Sequence, residues 1–133
     1  MVYVAAGGVQ AKPTGTITRE AAQSLSAYQY HAMKIDTDGL VDVVDTSSAG
    51  PVMGILQNAP AAGAEAEVAT KGTSLAVLGG TVDEGAKLGS DSNYHLVTVS
   101  TDTNIYFAIA MEGGDSGELI EVKLIGEQNI STT

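Results

Sequence analysis

The chain has no cysteine, no tryptophan and one phenylalanine. Without cysteine it forms no disulfide and no thiolate metal site, and nothing in it reports a redox compartment. With aromatics this sparse, a surface for stacking sugars rests on the five tyrosines alone. Basic residues are also few. Lys12, Arg19, Lys34, Lys71, Lys87 and Lys123 stand against sixteen acids, for a formal charge of -10. Nucleic-acid affinity depends on Lys and Arg neutralising phosphates, and no stretch of the chain clusters them. Nucleic acid and anionic membranes are therefore disfavoured as partners. The acidity suits a soluble surface whose copies repel one another. No apolar run approaches the roughly 18 residues of a membrane-spanning helix. The start, MVYVAAGGVQAKPTG, lacks the basic residues and sustained apolar run of a secretory signal.

What is present is small and flexible. Sixteen glycines, with abundant Ala, Val and Thr, suit short strands and tight turns. At 133 residues the chain is long enough for one domain. Residues 1–26 read as an extended N-terminal arm, with a short strand at 2–5 or 16–18 and a short helix over 19–25 that Thr18 can cap. Residues 27–126 read as an all-β barrel or sandwich, and residues 127–133 as a flexible tail. Strands are predicted over 30–35, 40–44, 52–57, 66–71, 73–78, 86–88, 94–99, 105–111 and 119–125. Asp38-Gly39 between apolar runs is a hairpin signal. The alternation Ile120, Val122, Leu124 against Glu121, Lys123 is that of a half-buried strand.

The chain also repeats itself. A shift of 54 positions without a gap lays Gly54 on Ala108, Ile55 on Ile109, Gly63 on Gly117, Val68 on Val122 and Gly72 on Gly126. The same shift puts the Asp38-Gly39 turn on Ser92-Asn93. Residues 30–72 and 84–126 thus read as two similar β-units, neither able to hide its apolar face alone, closing one core between them.

Chemistry is scarce. Asp36, Asp38, Asp42 and Asp45 crowd one hairpin, but Gly39 directly after Asp38 breaks the calcium-loop pattern, so they read as turn-forming, solvated acids. His31 and His95 lie in separate strands, and no His-x-x-x-His or Cys spacing accompanies them. No Gly-x-Ser-x-Gly elbow and no phosphate loop occurs. These features predict no catalytic residue, no metal site and no cofactor. Tyr28, Tyr30, Tyr94 and Tyr106 are candidates for an oligomer interface or for core filling.

The runs "GPVMGILQNAPAAGAEAEVATKGTSLAVLGG", "EGAKLGSD" and "AIAMEGGDSGELIEVKLIG" resemble the capsid cement, or decoration, family of tailed phages and related viruses. The likeness covers residues 27–125 and is best over 54–63, while Ala108 stands where members often carry Gly. The resemblance implies a small β-barrel on the outer surface of the virion's head, assembled in the host cytoplasm. It also implies a homotrimer at local threefold positions, with the major capsid protein as partner and no enzymatic role. It implies further that a terminal arm grips the shell: Val2, Tyr3, Val4, Ile17 and Thr18 by strand addition, Lys12 and Arg19 by pairing with shell carboxylates. The competing expectations are a receptor- or glycan-binding module of the virion surface and another structural virion part, such as a tail-tube segment.

Overall fold

A computed structural model describes residues 11–44, 52–99 and 105–129, with the side chains of Ile105 and of 126–129 excepted. All regular structure among them is β. The strands are β1 (Pro13–Glu20), β2 (Ala32–Ile35), β3 (Val41–Val43), β4 (Gly54–Leu56), β5 (Glu65–Val77), β6 (Lys87–Ser90), β7 (Leu96–Thr98), β8 (Ile105–Ala110) and β9 (Leu119–Asn129). They join one antiparallel sheet in the order β3-β2-β4-β5-β9-β8-β6-β7, with β1 on a further side of β5.

Two expectations about the ends are corrected. Residues 13–20 are sheet, because β1 pairs with β5 from Pro13↔Gly72 to Glu20↔Glu65. Ala21 and Leu25 then enter the core, so this part of the chain is body and not arm, and no helix forms over 19–25. At the other end β9 runs to Asn129, where it pairs with Ile105, so residues 127–129 are strand and not tail. Val2, Tyr3 and Val4 lie outside the described residues.

The repeat is real, and larger than its sequence trace. In the first half, Met33↔Val43 and Ile35↔Val41 pair β2 with β3. In the second, Leu88↔Thr98 and Ser90↔Leu96 pair β6 with β7, the same register 55 positions later. Ile55↔Ala69 and Leu56↔Val68 recur as Ile109↔Lys123 and Ala110↔Val122, 54 positions later. The added piece is β1. Its pairs Arg19↔Ala66 and Glu20↔Glu65 recur as Ala76↔Ile120 and Val77↔Leu119. Strand β1 is therefore the counterpart of the C-terminal part of β5. The two halves are β1-β5-β4-β2-β3 and β5-β9-β8-β6-β7, fused through one long strand.

Each half curls until its first and last strands meet. Parallel bridges Ala21↔Val41 and Leu78↔Leu96 mark the two meetings. The amides of Ala22 and Gly79 then donate to the carbonyls of Val41 and Leu96, at 2.8 and 2.9 Å.

This curling changes the core. Instead of one shared interior there are two clusters. Leu25, Met33, Val41, Leu56, Ala66 and Val68 fill the first half. Their counterparts Val82, Leu88, Leu96, Ala110, Ile120 and Val122 fill the second. The second cluster continues into Ala32, Val44, Ile55 and Ala69, so the outer face of the first half packs against the second half. Fully burying one such aliphatic side chain contributes roughly 1.5–3 kcal/mol.

The turns repeat atom by atom. One carboxylate oxygen of Asp36 accepts from the amides of Asp38 and Leu40, at 2.9 and 3.0 Å. Asp91 does the same for Asn93 and His95, at 2.8 and 3.0 Å. Such Asx turns explain the acid at these positions without any bound ion. Gly39 (φ 79°) thus corresponds to Tyr94 (φ 69°), and not to Asn93 as the uniform 54-residue shift had it. The one-residue difference falls in the connections after β3 and β7.

The block 54–63 is structural as well. A Cβ on Gly54 would run into the Ala69 carbonyl on the neighbouring strand. The Gln57 side-chain amide donates to the carbonyl of Ile55 (3.0 Å) and to the buried Ser74 hydroxyl (2.8 Å), which in turn donates to the Leu75 carbonyl. Asn58 bridges to β5, donating to the Glu65 carbonyl and accepting from the Glu67 amide, both at 3.0 Å. Gly54→Ala is expected to destabilise the protein by about 3 kcal/mol through overpacking against backbone. Gly80→Ala, where an added Cβ meets nothing within 4 Å, stays within about 0.5 kcal/mol of wild type. Urea unfolding of both variants checks the contrast.

Candidate binding surfaces

Strand β1 is the outermost partner of β5, and every residue of it except Gly15 is exposed. Ile17 is one of three large hydrophobics standing exposed among the described residues. Lys12 lies just before β1. Its backbone amide donates to the Thr73 hydroxyl (2.8 Å), and its carbonyl accepts from the Thr73 amide. The structure thus gathers Lys12, Ile17, Thr18 and Arg19 along one strand, but as a fixed part of the sheet. An edge strand presents unpaired backbone groups to which another strand can add.

The tyrosines separate into three environments. Tyr28 and Tyr94 meet edge to face with ring centroids 5.4 Å apart, and both pack against the first core. Tyr30 packs against the second core. Tyr106 lies elsewhere, under the Lys87 ammonium at 5.3 Å. Tyr94 comes from the second half yet covers the core of the first, and its carbonyl accepts from the Ala32 amide at 2.9 Å. It is a clasp between the halves.

The same junction holds both histidines. His31 meets Tyr28 edge-on (5.5 Å) and His95 at 4.8 Å between centroids. Sequence reasoning set them apart because the repeat does not superpose them. They meet because the halves pack unlike faces together. His31 is buried, and its Nδ1 donates to the Gln29 carbonyl at 3.0 Å, which fixes the neutral tautomer. Burial holds its pKa below the ordinary imidazole value of 6.5. The Gln29 carbonyl opposes that shift and the neighbouring His95 adds to it. His95 Nδ1 stands 3.7 Å from Asp91 Oδ2, longer than a hydrogen bond. Among the described residues, no three His, Asp or Glu side chains gather as metal ligands do. Nor, among them, does any helix cross a membrane's thickness.

The fold has a solved counterpart. The head fiber gp8.5 N base of bacteriophage phi29 superposes with a TM-score of 0.62 at 14% sequence identity, over 83% of this chain and 92% of that one. No protein-family profile matches the chain, and no curated protein matches it in sequence. At that identity the likeness is one of fold.

Two outcomes test the junction. The unfolded chain takes up a proton at His31 near pH 6.5, whereas the folded chain resists it. The contribution is therefore whole above that value and is lost as the pH falls through it towards the lower folded value. The urea midpoint of wild type is expected to drop on going from about pH 7 to about pH 5.5, and that of His31→Gln to stay flatter. Parallel curves would remove His31 as the source. Tyr94→Gly relieves a left-handed backbone worth about 1 kcal/mol, but forfeits a larger aromatic contribution, about 2 kcal/mol, from burial and the edge-to-face pair. A net loss of about 1 kcal/mol is expected in denaturant unfolding.

Proposed function

We propose that the chain is a non-enzymatic structural component of a phage head: a decoration protein on the outer surface of the shell, binding the major capsid protein. The observation that carries this reading is the fold shared with the phi29 head-fiber base, nearly end to end for that protein. The arrangement of polar groups supports it. Asp36, Asp91, Gln57 and Asn58 are engaged in holding backbone, which leaves strand surfaces as the means of contact. Strand β1 offers its outer edge to a shell strand, with Ile17, Thr18 and Arg19 beside it. Three copies at a local threefold position act together.

A ligand that binds only the assembled shell stabilises it by mass action, about 3 kcal/mol at a hundredfold excess over Kd, and a trimer adds avidity. The phi29 likeness favours one variant of this reading, in which the domain is the seat of a fibre and not a cap of the shell. Electron microscopy of labelled heads separates the two.

The test is co-sedimentation of the purified chain with undecorated heads, with light scattering of the free protein. Binding that saturates, heads that resist heat better, and a trimeric mass are expected. Ile17→Lys, placing a charge on the exposed edge, should weaken attachment about tenfold with unchanged folding. Heads that bind no protein would overturn the reading.

A further inference from the structure

Two of the six basic residues, Lys87 and Lys123, fall in one row of the second half, and two more, Lys12 and Lys71, lie at the end of that row, where β1 meets β5. Across β6, β8, β9 and β5 the register sets Lys87↔Ile109, Ile109↔Lys123 and Lys123↔Thr73 in a single row. The Lys12 backbone is bonded to Thr73 at the end of that row. Lys71, two residues before Thr73, lies along Gly15. Lys87 and Lys123 are exposed and Ile109 is half-buried. Among the described residues, none of these four lysines has a carboxylate within 4 Å. The neighbouring row contributes Glu121, which is half-buried, beside the exposed Met111, and the Glu112 carboxylate accepts from the Glu121 amide at 2.9 Å.

The repeat shows what this face is able to do. Its counterpart in the first half is Ala32, Ile55 and Ala69, all fully buried in the cluster that includes Leu78, Phe107 and Leu124. The same backbone surface is therefore covered by protein in one half and open in the other. Where it is covered it carries alanines, and where it is open it carries lysines around an isoleucine. We propose that the row Lys87–Ile109–Lys123, extended by Lys71 and Lys12, is a docking surface for an acidic polypeptide segment.

Charge complementarity selects that occupant. A second copy of this chain has no run of acids longer than Asp83-Glu84, so it offers no extended row of carboxylates to this face. Nucleic acid affinity draws on many phosphate contacts in succession, more than this short row of lysines supplies. A short acidic segment meets only the lysines, and Ile109 and Met111 supply apolar contact between them. The surface stands on its own geometry, whether or not the chain sits on a phage head.

The test is a titration of the isotope-labelled full chain with poly-L-glutamate at low salt, read by amide chemical shifts. Shifts confined to Lys71, Thr73, Lys87, Ile109 and Lys123, fading as salt is added, are expected. Lys87→Glu/Lys123→Glu should weaken the response at least about tenfold with an unchanged unfolding midpoint, and Lys87→Gln/Lys123→Gln should fall between. Three results would overturn the proposal: shifts elsewhere or none, a stronger response to single-stranded DNA of equal charge, or a changed oligomeric mass in the Glu variant. The last would mark the face as a contact between copies. Heads that bind while poly-glutamate does not would sink this surface and leave the virion reading standing.

Discussion

Strand β5 has to serve two half-sheets, and it changes partners at Gly72. Up to that residue it lies between β1 and β4; from it onward it lies against β9. The change requires a left-handed backbone (φ 84°) in a space already filled. A Cβ there would stand 2.6 Å from the Thr14 nitrogen and 2.7 Å from the Lys12 carbonyl oxygen. Only glycine meets both demands. Everything larger follows from this joint: two halves with matching registers, two cores, and one covalent strand fixing how the halves meet.

That meeting is between unlike surfaces. The outer face of the first half, Ala32, Ile55 and Ala69, lies in the core of the second. Tyr94 of the second half covers the core of the first. The edges differ in the same sense. Leu75, in the part of β5 that matches β1, is 5% exposed, whereas its counterpart Thr18 is open to solvent. A uniform repeat in the sequence therefore becomes an asymmetric molecule, and the asymmetry decides which surfaces remain available.

Much of this was legible in the sequence, and the failures have physical causes. The all-β class followed from Gly-punctuated apolar runs, and β9 from its alternation. The 54-residue shift found the second part of each half because β4, β5, β8 and β9 keep that spacing. It missed β1 because the repeat is offset by three more residues there, and because Ile17 and Thr18 share no side chain with their counterparts Ser74 and Leu75, leaving only Thr16 to match Thr73. Gly72 read as a break between two strands, since glycine punctuation does not distinguish a kink from an end. The exposed, Thr-rich residues 13–20 read as an arm because an edge strand buries almost nothing. Of the aspartates that resembled calcium ligands, Asp36 caps the turn, and Asp45 lies outside the described residues. The lysine row was invisible for a different reason: cross-strand neighbours carry no sequence proximity.

Head-to-tail packing of two like units leaves a mismatch that the chain must control. Heterologous contacts do not close by themselves, and a further unit stacking on the open face would begin a filament. In the first half this face is Ala32, Ile55 and Ala69, fit for dry burial. In the second, Lys87 and Lys123 replace the two alanines while the backbone register is kept. Covering them with a third apolar unit would strip two ammonium groups of water with no carboxylate to pair them, which costs far more than the apolar contact returns. The same substitutions that stop the stack at two units leave a charged face of known shape, and only a partner that brings its own carboxylates satisfies it.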